Sequence, residues 1–254
     1  WFKLVLAELR LARRHLSERH VPEERIPYVV HHLRRVNEIL KLAVDQFRIM
    51  ETLTPQDFLD FRDKLMPASG FQSIQMREIE ILLGLSERDR VSYGGIDALQ
   101  HIERLAQSSP AGQEAWGRIE KARRERSLRE ALHDWLHRTP IQGSGPDDPG
   151  DDVVVETFLA DYLSASERTG RIQAERVVEV FGGEGDGARG ALERRFADAL
   201  AMSRRFLLAE DVEGVEERLR TRRIRAGLLF IESYRHLPLL AWPRLLVDAI
   251  VETE

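Results

Sequence analysis

The chain has 254 residues, 43% of them hydrophobic and 32% charged, enough to bury the core of one large domain or two small ones. Its net charge is −5 with both signs interspersed, which argues against a nucleic-acid footprint, and no apolar run approaches the ~20 residues of a membrane span. The absence of cysteine excludes disulfides, thiolate metal sites and Cys nucleophiles, and with no signal peptide visible it fits a reducing, cytoplasmic setting.

Residues 1–18 read as a helix with Phe2, Val5, Leu6, Leu9 and Ala12 in one stripe. Residues 19–27, with Pro22 and Pro27, read as a connection. Residues 28–51 carry the strongest helical pattern: Val29, Leu33, Val36, Leu40, Ala43 and Phe47 step by three and four, a heptad-like seam that requires a helix partner. A helical pair follows over 54–84. Thr54 can cap, Pro55 suits the first helical position and Asp57 sits three residues after the cap. Phe58, Phe61 and Leu65 then form an apolar face with Arg62 at its edge. Met66-Pro67 ends this helix, and Ala68, Ser69 and Gly70 allow close approach to the backbone. The second helix runs to Gly84, a residue suited to a left-handed helix end.

Ser86 to Gly95 reads as a loop. Residues 96–107 and 111–138 read as helices separated by Ser108, Ser109 and Pro110, the second carrying Trp116, Ile119, Leu128, Leu132 and Trp135. Residues 140–152 (PIQGSGPDDPGDD) are expected to form a mobile linker. Helical patterns resume over 153–168 and 171–181, followed by a second expected mobile linker at 182–190 (GGEGDGARG). Residues 191–209 and 212–236 read as helices, 236–243 as a break with two prolines, and a last helix starts near Arg244. Strand signals are almost absent, so the fold class is all-α, a helical bundle.

Arg62 beside the Phe58 ring, with a small-residue turn after it, has the chemistry of a pocket for a carboxylate and a flat apolar group. The competing reading pairs Arg62 with Asp63 or Glu78 at the surface. Gly185, Gly187 and Gly190 match G-x-G-x-x-G, but no βαβ unit surrounds them and Glu184 and Asp186 would repel a pyrophosphate. His133 and His137 share a helix face, yet no third ligand accompanies them, so a solvated face is the simpler reading. His31 and His32 point about 100° apart on a helix and cannot both ligate one ion. His15, His20, His101 and His236 read as ordinary surface or interhelix histidines. No metal-ligand set, Ser/His/Asp arrangement or carboxylate pair emerges from spacing.

PASGFQS, preceded by DFLDFRDKL and ETLTP, resembles the signature of the tryptophan 2,3-dioxygenase family, within the haem-dependent aromatic amino acid oxygenases. Trp1-Phe2-Lys3 with LVLAELRLAR resembles the family's first core helix, and Val36 to Thr54 its second. Trp135 to Pro140 (WLHRTP) resembles its WLERTP segment, and Arg222 to Leu246, with Tyr234, Arg235, Pro238 and Pro243, a late helical segment. The resemblance implies one α-helical domain over 1–254 that binds haem b, assembles as a homotetramer, and uses O2 to open the indole C2–C3 bond of L-tryptophan to N-formylkynurenine. Carried over by residue, Arg62 clamps the substrate carboxylate, Phe58 packs on the aromatic side chain, and Ser69 and Gly70 line the haem face; Leu65 joins them by helical phase. The family's distal histidine falls just before the WFK motif, and its proximal haem ligand just after the late helical segment. Catalytic and metal-ligating residues therefore stay unassigned within 1–254. The chain reads as trimmed at both ends, and residues 1–254 alone are expected to bind little or no haem. Two alternatives stand beside this reading: a haem mono-oxygenase or hydroxylase of a modified tryptophan or tyrosine, and a haem-free helical binding or scaffold protein.

Overall fold

A computed structural model describes residues 1–18, 21, 23–65, 73–86, 98–107, 109–181 and 186–253. The helices, in chain order, are α1 (Phe2–Leu16), α2 (Ile26–Glu51), α3 (Pro55–Leu65), α4 (Ile74–Leu83), α5 (Ala98–Ala106), α6 (Pro110–Arg124), α7 (Leu128–Arg138), α8 (Asp151–Phe181), α9 (Asp186–Leu207), α10 (Val215–Ser233) and α11 (Ala241–Thr253). Among the described residues there is no strand, only an isolated bridge between Ile141 and Ser144. The all-α expectation holds. No described helix is long and apolar enough to cross a membrane. The chain divides into two compact units, one of residues 1–132 with 236–254 and one of residues 133–235.

The first unit is built on α2. α1 lies along one side of it and α11 along another, while α1 also packs on α4, α4 on α6 and α5 on α6. The apolar spacing explains the order. Val5, Leu6, Leu9, Ala12 and Leu16 of α1 and Val29, Val30, Leu33 and Val36 of α2 are almost fully buried, as are Leu246, Ala249 and Ile250 of α11. Each fully buried Leu, Ile or Val contributes roughly 1.5–3 kcal/mol. A buried polar bridge sets the α2–α11 register: the Asn37 amide donates to the Ala249 carbonyl (3.3 Å), and the Thr253 hydroxyl lies 2.6 Å from Asn37 Oδ1.

The α2 seam is shorter than its sequence pattern. It is buried at Val29, Leu33 and Val36 and half-buried at Leu40 and Ala43, but Phe47 is 68% exposed. α1 and α11 cover only the N-terminal part. Beyond Lys41, paired with Glu252 of α11 at 2.7 Å, the exposed residues Leu42, Val44, Phe47, Ile49 and Met50 surround the helix.

The second unit pairs α8 with α9 and lays α10 on both. Ile141, Val155, Phe158, Leu159, Leu207 and Ala226 form its core, with Phe230 edge-on to Phe158 at 5.7 Å. Gly227 lets α10 approach α7 closely, since a Cβ there would overlap the Leu136 carbonyl oxygen.

Several expected boundaries differ. The helix expected over 111–138 is broken at 125–127, because Ser127 caps α7 and Glu130 returns the bond: the Glu130 N–H donates to Ser127 Oγ (3.2 Å) and the Ser127 N–H to Glu130 Oε2 (2.7 Å). The helices expected over 153–168 and 171–181 are one helix of 31 residues, α8. Gly170 inside it costs about 1 kcal/mol, too little to break a helix that packs against Phe196 there. In the expected linker at 182–190, residues 182–185 lie outside the described set, and helix α9 already begins at Asp186 because the sequence from there is compatible with helix. Gly187 and Gly190 are thus helical rather than a phosphate loop. Over 140–152 the chain carries defined contacts. Ile141, its single apolar residue, is fully buried, the Ser144 hydroxyl donates to Asp151 (2.8 Å), and α8 starts at Asp151. α11 begins at Ala241, after a 3-10 turn at Pro238–Leu240.

Candidate functional site

The start of α3 is fixed locally, as its sequence requires. The Asp57 N–H donates to Thr54 Oγ1 (3.2 Å), and the Thr54 N–H and hydroxyl both donate to Asp57 Oδ2 (3.1 and 2.7 Å). These bonds, side chain first and backbone second, hold the Asp57 carboxyl below its usual range against a slight opposing effect of burial. An 11-residue helix is marginal on its own, so this capping box matters.

α3 carries Phe58, 40% exposed, edge-on to Phe61 with centroids 5.5 Å apart. Arg62 is exposed one turn after Phe58, and among the described residues it makes no ion pair. The alternative pairing with Glu78 is not realised. Glu78, 4% exposed, is held by Arg118 and by Arg10 at 3.5 Å. The side chain of Asp63 lies outside the described set, as does that of Leu65, whose backbone ends α3. Ser69 and Gly70 also lie outside it. The structure therefore brings Arg62 and Phe58 together on one exposed helix.

α4, on the far side of residues 66–72, is firmly anchored. Ser73 caps its start, accepting the Met76 N–H (3.4 Å). Gly84 closes its end at φ 92°, with the Gly84 and Leu85 N–H groups both donating to the Glu80 carbonyl. Arg77 and Glu80, both nearly buried, pair at 2.9 Å. Beyond Glu78, Arg10 and Arg13 of α1 reach Glu125 at 3.3 and 2.7 Å. Sequence reasoning missed this network. Its members lie up to 115 residues apart, and each charge also suits a solvated helix face.

A second polar cleft, of about 500 Å³, lies in the second unit among His137, Asp151, Glu216, Arg220, Arg222 and Arg223. Arg223, 5% exposed, pairs with Asp151 at 2.8 Å and donates to the Thr139 and Ser144 carbonyls at 3.2 and 3.1 Å. Burial first, then Arg220 and Arg223, push His137 below its ordinary value; Asp134 and Asp151 partly oppose them. His137 is thus half-buried rather than part of a solvated face. Among the described residues no group of three or more His, Cys, Asp or Glu could hold a metal ion. A cavity of about 790 Å³ between α8 and α9 is lined by small residues alongside Glu167, Arg171, Glu175 and Glu193 and gathers no reactive set.

The α3 site can receive a planar apolar group against Phe58 and a carboxylate at Arg62. It does not fit the iron of a haem, because residues 52–86 contain neither histidine nor cysteine.

Over residues 1–167 the chain matches the family described as tryptophan 2,3-dioxygenase. A protein named tryptophan 2,3-dioxygenase from Sorangium cellulosum (strain So ce56) is 39% identical over 257 residues, a match that takes in the whole of this chain and 60% of that protein. One named tryptophan 2,3-dioxygenase 2, from Ralstonia nicotianae, is 40% identical, with all of this chain and 67% of the relative aligned. A tryptophan 2,3-dioxygenase-like protein of Xanthomonas campestris pv. campestris (strain 8004) is 40% identical over 80% of this chain and 72% of its own length. The chain thus spans 60% and 67% of the first two relatives.

Proposed function

The chain belongs to the tryptophan 2,3-dioxygenase family, and from that we propose that the protein inserts both atoms of O2 into the indole C2–C3 bond of L-tryptophan, giving N-formylkynurenine. Arg62 binds the substrate carboxylate through two parallel hydrogen bonds, and Phe58 gives the indole a flat wall. Leu65, Ser69 and Gly70 complete the side that faces the cofactor. The observation that carries this reading is a guanidinium without an ion pair among the described residues, one turn from an exposed ring on a capped helix.

Haem b is the cofactor in this reading and supplies the oxygen chemistry. Its iron ligands come from outside residues 52–86. The assembly is a homotetramer in a cytoplasmic setting. The apolar end of α2, with Phe47 and Ile49 68% and 70% exposed, supports a covered surface there.

Arg62→Ala tests the site. Removing a bidentate, charge-assisted carboxylate contact should cost on the order of 2–4 kcal/mol in kcat/KM, about 30- to 1,000-fold. An unchanged kcat/KM for L-tryptophan removes Arg62 from the site. Product mass tests the reaction: a gain of two oxygen atoms supports it, and a gain of one replaces it with mono-oxygenation.

A further inference from the structure

Three histidines meet where α1 lies on α2. His15 sits in the last turn of α1, and His31 and His32 lie near the start of α2. The His15 and His32 rings are nearly parallel, 10° apart in plane with centroids at 6.0 Å, and His31 stands edge-on to His32 at 5.7 Å. Glu8 is the carboxylate bonded to this group, and both its oxygens are used. Oε2 lies 2.6 Å from His32 Nδ1, and Oε1 accepts from Arg35 Nε at 2.7 Å. His15 Nδ1 is buried and has no hydrogen-bond partner among the described residues.

The charged groups around His15 among the described residues are mostly positive. α2 presents His32, with Arg35 and His31 beyond it. The short turn Glu23–Arg25 presents Arg25. α1 and its extension present Arg14 and Glu18, and Glu18 is already paired with Arg25 at 2.8 Å. α4 sends Glu78 to Arg10 and Arg118 instead of to the rings. A proton added to His15 therefore finds no free carboxylate among the described residues, and it faces a second imidazole across the helix seam.

We propose that His15, stacked on His32, is an acid-operated release for α1: its neutral ring packs the seam, and protonating it drives α1 away from α2. Burial, then His32 and Arg25, hold His15 below its ordinary value, so it charges late on acidification. A base whose folded pKa lies below its unfolded value leaves stability intact above the unfolded value of about 6.5 and removes it as pH falls from there through the folded value. Release would reach further than the rings. α1 also carries Arg10 and Arg13, which hold Glu78 of α4 and Glu125, so an acidified seam loosens the support of α4.

The test is an imidazole NMR titration of the protein between about pH 8 and 5, with resonances assigned in the unsubstituted protein and the titration repeated in His32→Gln. The expected result is a His15 midpoint below the free value that moves upward once His32 is gone. A second readout needs no substitution: hydrogen exchange of residues 2–16, corrected for intrinsic rate, should accelerate about tenfold or more below the midpoint while α8 is unaffected. A His15 midpoint at or above the free value overturns the proposal. So does a midpoint that ignores His32→Gln, or exchange in α1 that tracks α8.

Discussion

Gly227→Ala and Gly117→Ala are the same substitution in two helices, and the structure gives them opposite signs. At Gly117, in α6, an added Cβ meets nothing within 4 Å. Alanine there gains the helix preference that glycine lacks, about 0.5–1 kcal/mol. At Gly227, in α10, the added Cβ overlaps the Leu136 carbonyl oxygen and lies 3.3 Å from the carbonyl carbon. Ordinary C···O contacts are about 3.3–3.6 Å, so α7 and α10 must move apart. The obstacle is backbone, which cannot rotate away as a side-chain tip can. Overpacking of this kind costs about 1–3 kcal/mol and outweighs the same propensity gain, leaving a net loss of up to about 2 kcal/mol. Urea unfolding followed by circular dichroism reads both variants through the shift in midpoint at constant slope. A Gly227→Ala midpoint raised as much as that of Gly117→Ala would falsify the close approach of α10 to α7.

Three further outcomes are expected. Thr253→Val leaves Asn37 Oδ1 buried without its donor and should cost about 1–3 kcal/mol, whereas adding Asn37→Leu should recover much of that loss, a coupling read in a double-mutant cycle of urea midpoints. Arg223→Met strands Asp151 in a pair whose side chains are 6% and 9% exposed, and should lower the unfolding midpoint by about 3–5 kcal/mol equivalent; Arg223→Met with Asp151→Leu should be milder. For Glu8, burial raises the pKa, but the hydrogen bonds from Arg35 and His32 outweigh it and the net shift is downward. Its stabilisation is therefore present above the unfolded carboxyl value of about 4.3 and lost as pH falls through the folded value, so Glu8→Gln should flatten the acid limb of a stability–pH curve below about pH 4.5.

What was legible in the sequence was what is settled within one turn. The Thr54–Asp57 capping box and the Gly84 helix end are read from four or five neighbouring residues, and both stand as expected. The Ser127–Glu130 box had the same local signature, but the apolar run from Trp116 to Trp135 suggested one continuous helix and masked it. Gly170 misled in the other direction, because a single glycine weakens a helix without ending it. Gly227 gave no signal, since RAGLLF is helical on any reading and the reason for glycine lies 91 residues away at Leu136 (227 − 136). For the candidate site, the adjacency of Arg62 and Phe58 followed from helical phase, whereas the occupation of Glu78 by Arg10 and Arg118 depends on three helices meeting and could not be read from spacing.

The bridge between Asn37 and Thr253 spans 216 residues of sequence, with the whole second unit between its ends. On a ribosome adding about 5–20 residues per second, α2 waits roughly 10–40 s for the helix that covers it. During that interval the second unit can already close, while the first still exposes the strip of α2 that Ala249 and Ile250 will bury. The nascent chain is therefore open to misassembly at α2 until α11 is made, and a holdase that recognises apolar helices would find its target on the α2 face around Asn37, where α11 will pack.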